Sequence, residues 1–339
     1  MNKKLIALAV AGAATLPIAA QAHVTIYGKI HVSVEHIDND VAGVDDSTSV
    51  SSNSSRIGFK GAEDLGNGMR AIWQIEQEVG LTDTITKTWA SRNSFVGLAG
   101  NFGTVIAGRH DTPFKSVGRK GDFFGDQIGD SRNVISAVQS HDVRPDNVIA
   151  YVSPELNGLQ AALAYSTDAS GDGKDDNDTD AVSLSLTYGN GPLWLGFAHQ
   201  KINTSATLDT DSNWMVGSYR FGDFKVAALW QSTELAAGMD VDAWGLGGSY
   251  TMGNNTIKAQ YYTLDDTEGT SDSGADLWAI GFDHQLSRRT SLYAAYAAAD
   301  NDTNQTIKVT GGGHGDDGLG TLAGGEDPSA FAVGLIHKF

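Results

Sequence analysis

The residues of this chain that could do chemistry gather in one stretch, "DTPFKSVGRKGDFFGDQIGDSRNVISAVQSHD", residues 111–142. It carries five acids, Asp111, Asp122, Asp126, Asp130 and Asp142, and four bases, Lys115, Arg119, Lys120 and Arg132. The sequence on either side alternates apolar and polar residues; this stretch does not. Further bases stand outside it: Lys29 on the polar face of an alternating segment, Arg56, Arg92 and Arg144 each opening a strand-like segment, and Arg109 where such a segment meets the charged stretch. Fixed charges of opposite sign facing each other across water create a transverse field, and small polar, zwitterionic or charged solutes orient in it.

The patterns of catalysis and of metal binding are weak by comparison. Cysteine is absent, which removes thiolate metal sites, disulfides and cysteine nucleophiles together. Nine histidines are scattered without H-x-x-x-H spacing, and no G-x-S-x-G occurs. "DASGDGKDDNDTD" at 168–180 looks at first like a calcium loop, but it lacks the glutamate at the twelfth position and the flanking helices. It reads as a solvated acidic loop, with weak divalent binding at a rim as the alternative. The glycines of "GLGTLAGG" near 318–325 have no strand-to-helix context and read as a flexible loop.

The elements that must position these charges are strands. Segments of about ten residues with period two recur along the chain. In "VTIYGKIHVSVE", Val24, Ile26, Ile30, Val32 and Val34 share one face, and Thr25, Lys29, His31, Ser33 and Glu35 the other. Val182, Leu184, Leu186 and Tyr188 alternate with Ser183, Ser185 and Thr187 in the same way. Tight turns at 189–191, 221–224 and 252–255 alternate with long loops at 38–53, 168–180, 265–276 and 300–327, which read as solvated and hold about half of the 41 Asp and Glu residues. One end of every hairpin is short and the other elaborated, as in a barrel whose rims face different compartments. The count of segments predicts an all-β transmembrane antiparallel barrel of about 16 strands. Tyr165, Tyr188, Trp194, Tyr219, Phe221, Trp230, Tyr250, Tyr261 and Tyr293 fall near segment ends and are expected to form interfacial girdles.

At the front, "MNKK", an apolar run and Ala20-Gln21-Ala22 read as a cleaved signal peptide over 1–22, leaving a single barrel domain over 23–339. At the back, Phe331, Val333, Leu335, His337 and Phe339 alternate with Ala332, Gly334, Ile336 and Lys338, so strand periodicity runs to the last residue. The first and last strands are expected to pair, with the α-amino group at His23 near the Phe339 carboxylate.

The whole mature length resembles the general diffusion porins of Gram-negative outer membranes. The likeness is carried by "VTIYGKI", "SSRIGFKGAEDLGNGMRAIWQIE", "SRNSFVGLAGNFGTVIAGRHDTPF", "RPDNVIAYVSPELNGLQ" and the terminal "HKF". It implies a homotrimer of sixteen-stranded barrels in the outer membrane, reached through the periplasm and surrounded by lipid and lipopolysaccharide. The stretch at about 110–143 then resembles the constriction loop that folds into the lumen. "DFFGD" is similar to its tip, so Asp122 and Asp126, with Asp130 as an additional member, would form the acidic side. Lys29, Arg56, Arg92 and Arg144, with Arg109 as a fifth candidate, would form a basic wall and leave the narrowest point modestly positive, with a weak preference for anions. An arginine facing lipid at mid-depth costs roughly 2–4 kcal/mol, so these side chains should face water. The C-terminal aromatic residue resembles an assembly signal read by the barrel-assembly machinery. No cofactor, metal or nucleic acid is expected. A substrate-specific channel and an outer-membrane β-barrel hydrolase are the rival readings.

Overall fold

The computed structural model describes residues 23–40, 46–82, 88–137, 142–168, 180–203, 209–235, 238–315 and 321–339. The expected signal segment and nearly all of the calcium-like loop lie outside this set. Its strands are β1 (His23–Asp38), β2 (Ser47–Ser52), β3 (Arg56–Gly66), β4 (Met69–Glu78), β5 (Ser94–Gly100), β6 (Gly103–Arg109), β7 (Asp146–Val152), β8 (Leu159–Asp168) and β9 (Ala181–Asn190). They continue as β10 (Leu193–Asn203), β11 (Asp209–Phe221), β12 (Phe224–Leu235), β13 (Met239–Met252), β14 (Asn255–Leu264), β15 (Ala275–Gln285), β16 (Thr290–Asn301) and β17 (Ser329–Lys338). Among the described residues no helix is long and apolar enough to cross a membrane.

Seventeen segments make sixteen staves, because β2 and β3 lie end to end along β1. Val32–Ile37 of β1 pair with β2, and His23–Lys29 pair with β3. The break falls at residues 53–55, where Ser54 has φ +48 and the backbone of Asn53 donates to the His31 carbonyl. Every neighbouring pair is antiparallel, and β17 returns to β1 to close the sheet into a ring. Closure leaves no strand edge to be desolvated in lipid.

The seam has a register the sequence did not reveal. Phe339 exchanges both backbone hydrogen bonds with Gly28, at 3.0 and 3.1 Å. The first strand therefore runs five residues past the C-terminus, about 16 Å at the rise of a strand, and the backbone at His23 is not beside Phe339 as expected. Gly28 is required there: a Cβ would stand 2.3 Å from the Phe339 ring.

Alternation fixes which side chains face outward. Phe331, Val333, Leu335 and Phe339 of the last stave are exposed on the outer face, as are Val24, Ile26 and Val34 of the first. Tyr219, Phe221, Phe224 and Tyr250 stack in sequence near the short-turn rim. Two of the expected girdle residues face inward instead: Trp194 lines the lumen and Tyr293 is buried, its hydroxyl 3.0 Å from His31 Nε2.

The lumen is occupied by two loops. The third long loop, between β6 and β7, carries α1 (Pro113–Gly118) and α2 (Arg132–Ile135) and packs on the inner face of β10–β15. The last loop, between β16 and β17, was expected to be solvated throughout, yet Ile307, Val309 and Thr310 are buried. Its backbone accepts from Gly129 of the third loop at Val309, and its His314 reaches Glu35 at 2.9 Å. Apolar residues inside an otherwise acidic loop were the overlooked sign of this.

Candidate constriction site

The third loop turns inward because its sequence anchors it at three places. Thr112 caps α1, its hydroxyl accepting from the Lys115 amide at 3.2 Å, and Pro113 occupies the first turn, where no amide donor is needed. Phe114 then lies on Trp214 of β11 with ring centroids 4.1 Å apart. Gly118 lets the helix end touch the same indole; a Cβ would stand 1.2 Å from it. Farther on, the Phe123 amide donates to Gln260 Oε1 at 2.8 Å, and Gln260 Nε2 donates to the Gly129 carbonyl at 2.8 Å. Phe124 is fully buried beneath the Lys258 ammonium, 4.6 Å from its ring centre.

This anchoring aims Asp126 across the lumen. Its backbone has φ +62, and the amide is held by Asp130 Oδ2 at 2.7 Å. Its carboxylate receives Lys29 Nζ at 2.7 Å and lies 4.0 Å from Arg56 Nη1. Burial alone would raise the Asp126 carboxyl, but the ammonium of Lys29 and the guanidinium of Arg132 overturn that and hold it below the usual carboxylate range.

The other residues read from the sequence fall into distinct places. Arg92 meets Glu76 at 2.7 Å and Glu78 at 3.9 Å. Arg144 meets Asp111 at 2.9 Å and donates to Asn93 at 2.8 Å. With Lys29 and Arg56 they form a connected wall, since Arg56 also lies 3.9 Å from Glu76. Arg109 stands apart. It shares a strand face with the exposed Val105 and Ala107, pairs with Asp146, and donates to the Ser91 carbonyl at 3.3 Å, so strand parity turns it away from the wall.

The acids divide similarly. Asp126 alone of the three faces the wall. Asp130 is fully buried and bonded to Arg132 Nε at 2.8 Å. Asp122 points the other way: it caps its own turn by accepting from the Phe124 amide at 2.9 Å. Burial, reinforced by Asp130, pushes its carboxyl up to about 7.

Residues not foreseen complete the arrangement. Arg132 gathers three carboxylates, reaching Asp126 at 2.8 Å and Asp142 at 3.2 Å besides Asp130. Arg119 also binds Asp142, at 2.8 Å. Glu76 and Glu78 interleave with the wall bases, and their parity was visible: they alternate with the outward Trp73 and Ile75 and sit opposite Gly58 and Arg56 in the β3–β4 register. The wall is thus a chain of alternating charges rather than a row of bases. It can orient a dipolar solute, and most of its positive charge has a carboxylate within reach.

Comparison with known proteins gives a consistent set of likenesses. A family model described as Gram-negative porin matches residues 7–304. Outer membrane porin protein 32 of Delftia acidovorans is 31% identical over 360 residues, a match spanning 100% of each chain. The major outer membrane protein P.IB of Neisseria gonorrhoeae is 37% identical over 212 residues, which is 58% of this chain and 56% of that protein. The chain thus spans a little over half the length of that relative. Among solved structures, an anion-selective porin from Comamonas acidovorans superposes with a TM-score of 0.81 at 28% identity, covering 94% of this chain and 100% of that one. The trimer form of OmpT of Vibrio cholerae superposes with a TM-score of 0.70 at 17% identity, a likeness of fold alone.

Proposed function

As this chain belongs to the Gram-negative porin family, we propose that it forms a water-filled channel across the outer membrane, through which small hydrophilic solutes and ions diffuse passively with a weak preference for anions. The observation that carries this is the reach of Asp126 from an inward-folded loop to Lys29 and Arg56 on the opposite wall. Such a contact narrows the lumen and lays a field across it, and has no use in a barrel that merely anchors a surface enzyme. The family and its relatives point to a channel rather than an enzyme.

The anion preference is a small surplus. With the loop counted alongside the wall, the seven bases Lys29, Arg56, Arg92, Lys115, Arg119, Arg132 and Arg144 stand against the six carboxylates Glu76, Glu78, Asp111, Asp126, Asp130 and Asp142. The similar porin from Comamonas acidovorans is described as anion-selective, which supports the sign. The acidic rim loops oppose it, but their charge is screened beyond about 8 Å at physiological salt.

The proposal includes a homotrimer, its contact made by the smooth outward face of Val24, Ile26, Val34, Val50, Val96 and Leu98. It also includes lipid and lipopolysaccharide around the barrel, and recognition of the last strand through Phe339 by the assembly machinery. Reconstitution into planar bilayers tests the central claim. Stepwise ohmic conductance and a reversal potential of anionic sign in a salt gradient are expected; folded protein without conductance would overturn it.

A further inference from the structure

Resting on the channel reading, we propose that the lumen holds a binding site for small organic monocarboxylates with an aromatic or branched apolar body, formed by an apolar recess beneath α1 and the ammonium of Lys120. The recess has a volume of about 410 Å³ and lies between α1 and the inner face of β4–β10, toward the short-turn rim. Its floor is Ile72, Phe95, Ile106 and Ala150, and Val117 and Trp194 close its sides. Inward positions of a passive aqueous pore need only be small or polar. Four adjacent staves here line the recess with apolar side chains, Ile106 and Ala150 buried and Ile72 and Phe95 half-buried, and the part left open to water gains free energy when an apolar solute covers it.

The charge at its mouth selects the sign of the solute. Lys120 is exposed to the lumen, its ammonium 6.0 Å from the Trp194 ring centre, and it makes no ion pair among the described residues. Asp111 also lines the recess, but its carboxylate is engaged by Lys115 at 3.0 Å and Arg144 at 2.9 Å. His110 and Phe95 meet edge to face, with ring centroids 5.3 Å apart.

A second observation points the same way. Arg220 and Lys225 sit directly opposite each other in the β11–β12 register, both on the inner face near the short-turn rim. Lys225 is 4.9 Å over the Phe123 ring, and neither base makes an ion pair among the described residues. Like charges placed opposite each other on a ladder weaken it, so this pair is a standing cost that an anion in the lumen relieves. Together with Lys120 they give this side of the constriction a positive surplus that the compensated wall at Arg56 and Arg92 lacks. A carboxylate on Lys120 with its ring in the recess satisfies both features; a small inorganic anion satisfies only the charge, and a neutral aromatic solute only the surface.

The test uses the native channel in a planar bilayer in potassium chloride, with benzoate as the probe. Benzoate should reduce the ionic current in a saturable, concentration-dependent manner. Acetate, which lacks the ring, and benzyl alcohol, which lacks the charge, should need at least about tenfold higher concentration for the same effect. Lys120→Gln and Ile106→Ser should each raise the half-blocking concentration of benzoate about tenfold, from opposite ends of the ligand. Stepwise conductance of each variant reports that its pore is folded. Equal effects of benzoate and acetate on the native channel, or block unmoved by Lys120→Gln, would overturn the site while leaving the channel reading intact. Absence of conductance in the native protein would overturn both.

Discussion

Two parts of one inner wall obey the same alternation and meet opposite surroundings. Strands β11–β16 turn Trp214, Leu229, Tyr262, Leu277, Ala279 and Ala297 inward, where the third loop covers them and excludes water. Strands β1, β3 and β4 turn Lys29, Arg56 and Glu76 inward, toward the loop's tip. Period two decides which side of the sheet a residue faces, but the loop decides whether that side is wet. An inward tryptophan is anomalous in a pore only until Phe114 and Gly118 are seen against it.

The contrast predicts where damage is greatest. Trp214→Ala removes a fully buried indole and should cost about 3–5 kcal/mol, seen as a lower thermal unfolding midpoint together with larger, noisier conductance as the loop loosens. A comparable loss from Arg56→Ala on the charged wall would erase the distinction between the two. Arg132→Met leaves Asp126, Asp130 and Asp142 buried without their shared cation and should cost about 3 kcal/mol, measured by the same unfolding midpoint. Wild-type stability in that variant would mean the three carboxylates hold protons instead.

On the charged wall the readout is selectivity rather than stability. Asp126→Asn frees Lys29 and Arg56 and should shift the reversal potential toward anions by a few-fold change in permeability ratio; no shift would place the ion path away from this contact. The smallest effect concerns pH. The Asp122 carboxyl titrates near 7 in the folded protein, above its unfolded value, so the native state holds a proton that the unfolded chain releases between about pH 4 and about pH 7. Its contribution is therefore complete at the acid end of that window and is lost as pH rises through 7. The carboxylate formed lies near Lys225, so anion preference should decline slightly over the same rise. Asp122→Asn should flatten both dependences, and reversal potentials at about pH 5.5 and about pH 8.5 measure the second.

The barrel was legible because its signals are local: alternation in β1 and β9, turns at 221–224 and 252–255, and the alternating C-terminus all sit within a few residues of each other. Lys29 and Asp126 were legible as partners through the family resemblance, not through spacing, since 97 residues separate them. What escaped was set by contacts between distant segments. Asp122 and Asp126 lie four apart in a loop with no fixed period, and the folded backbone, with its positive φ at Asp126, gives their carboxylates different partners. Arg109 shows the converse: its parity with Val105 was readable from the sequence and outweighs its closeness to the charged stretch. The burial of Val309 depends on a surface that exists only once the third loop is in place.

That dependence has a bearing on the order in which the molecule is completed. The seat of the last loop is made from three parts: Gly129 of the third loop, Ser54 and Asn53 at the break between β2 and β3, and Glu35 of the first strand. Asn53, Ser54 and Glu35 are neighbours through the β1–β2 pairing, but Gly129 and the loop leaving β16 come beside them only when β17 has joined β1. A chain with every hairpin formed but the seam open has no place to dry Val309 or to pair His314. Protection of the Val309 region from hydrogen exchange is therefore a clock for seam closure, and proteolysis within 305–315 marks barrels that have entered the membrane without finishing.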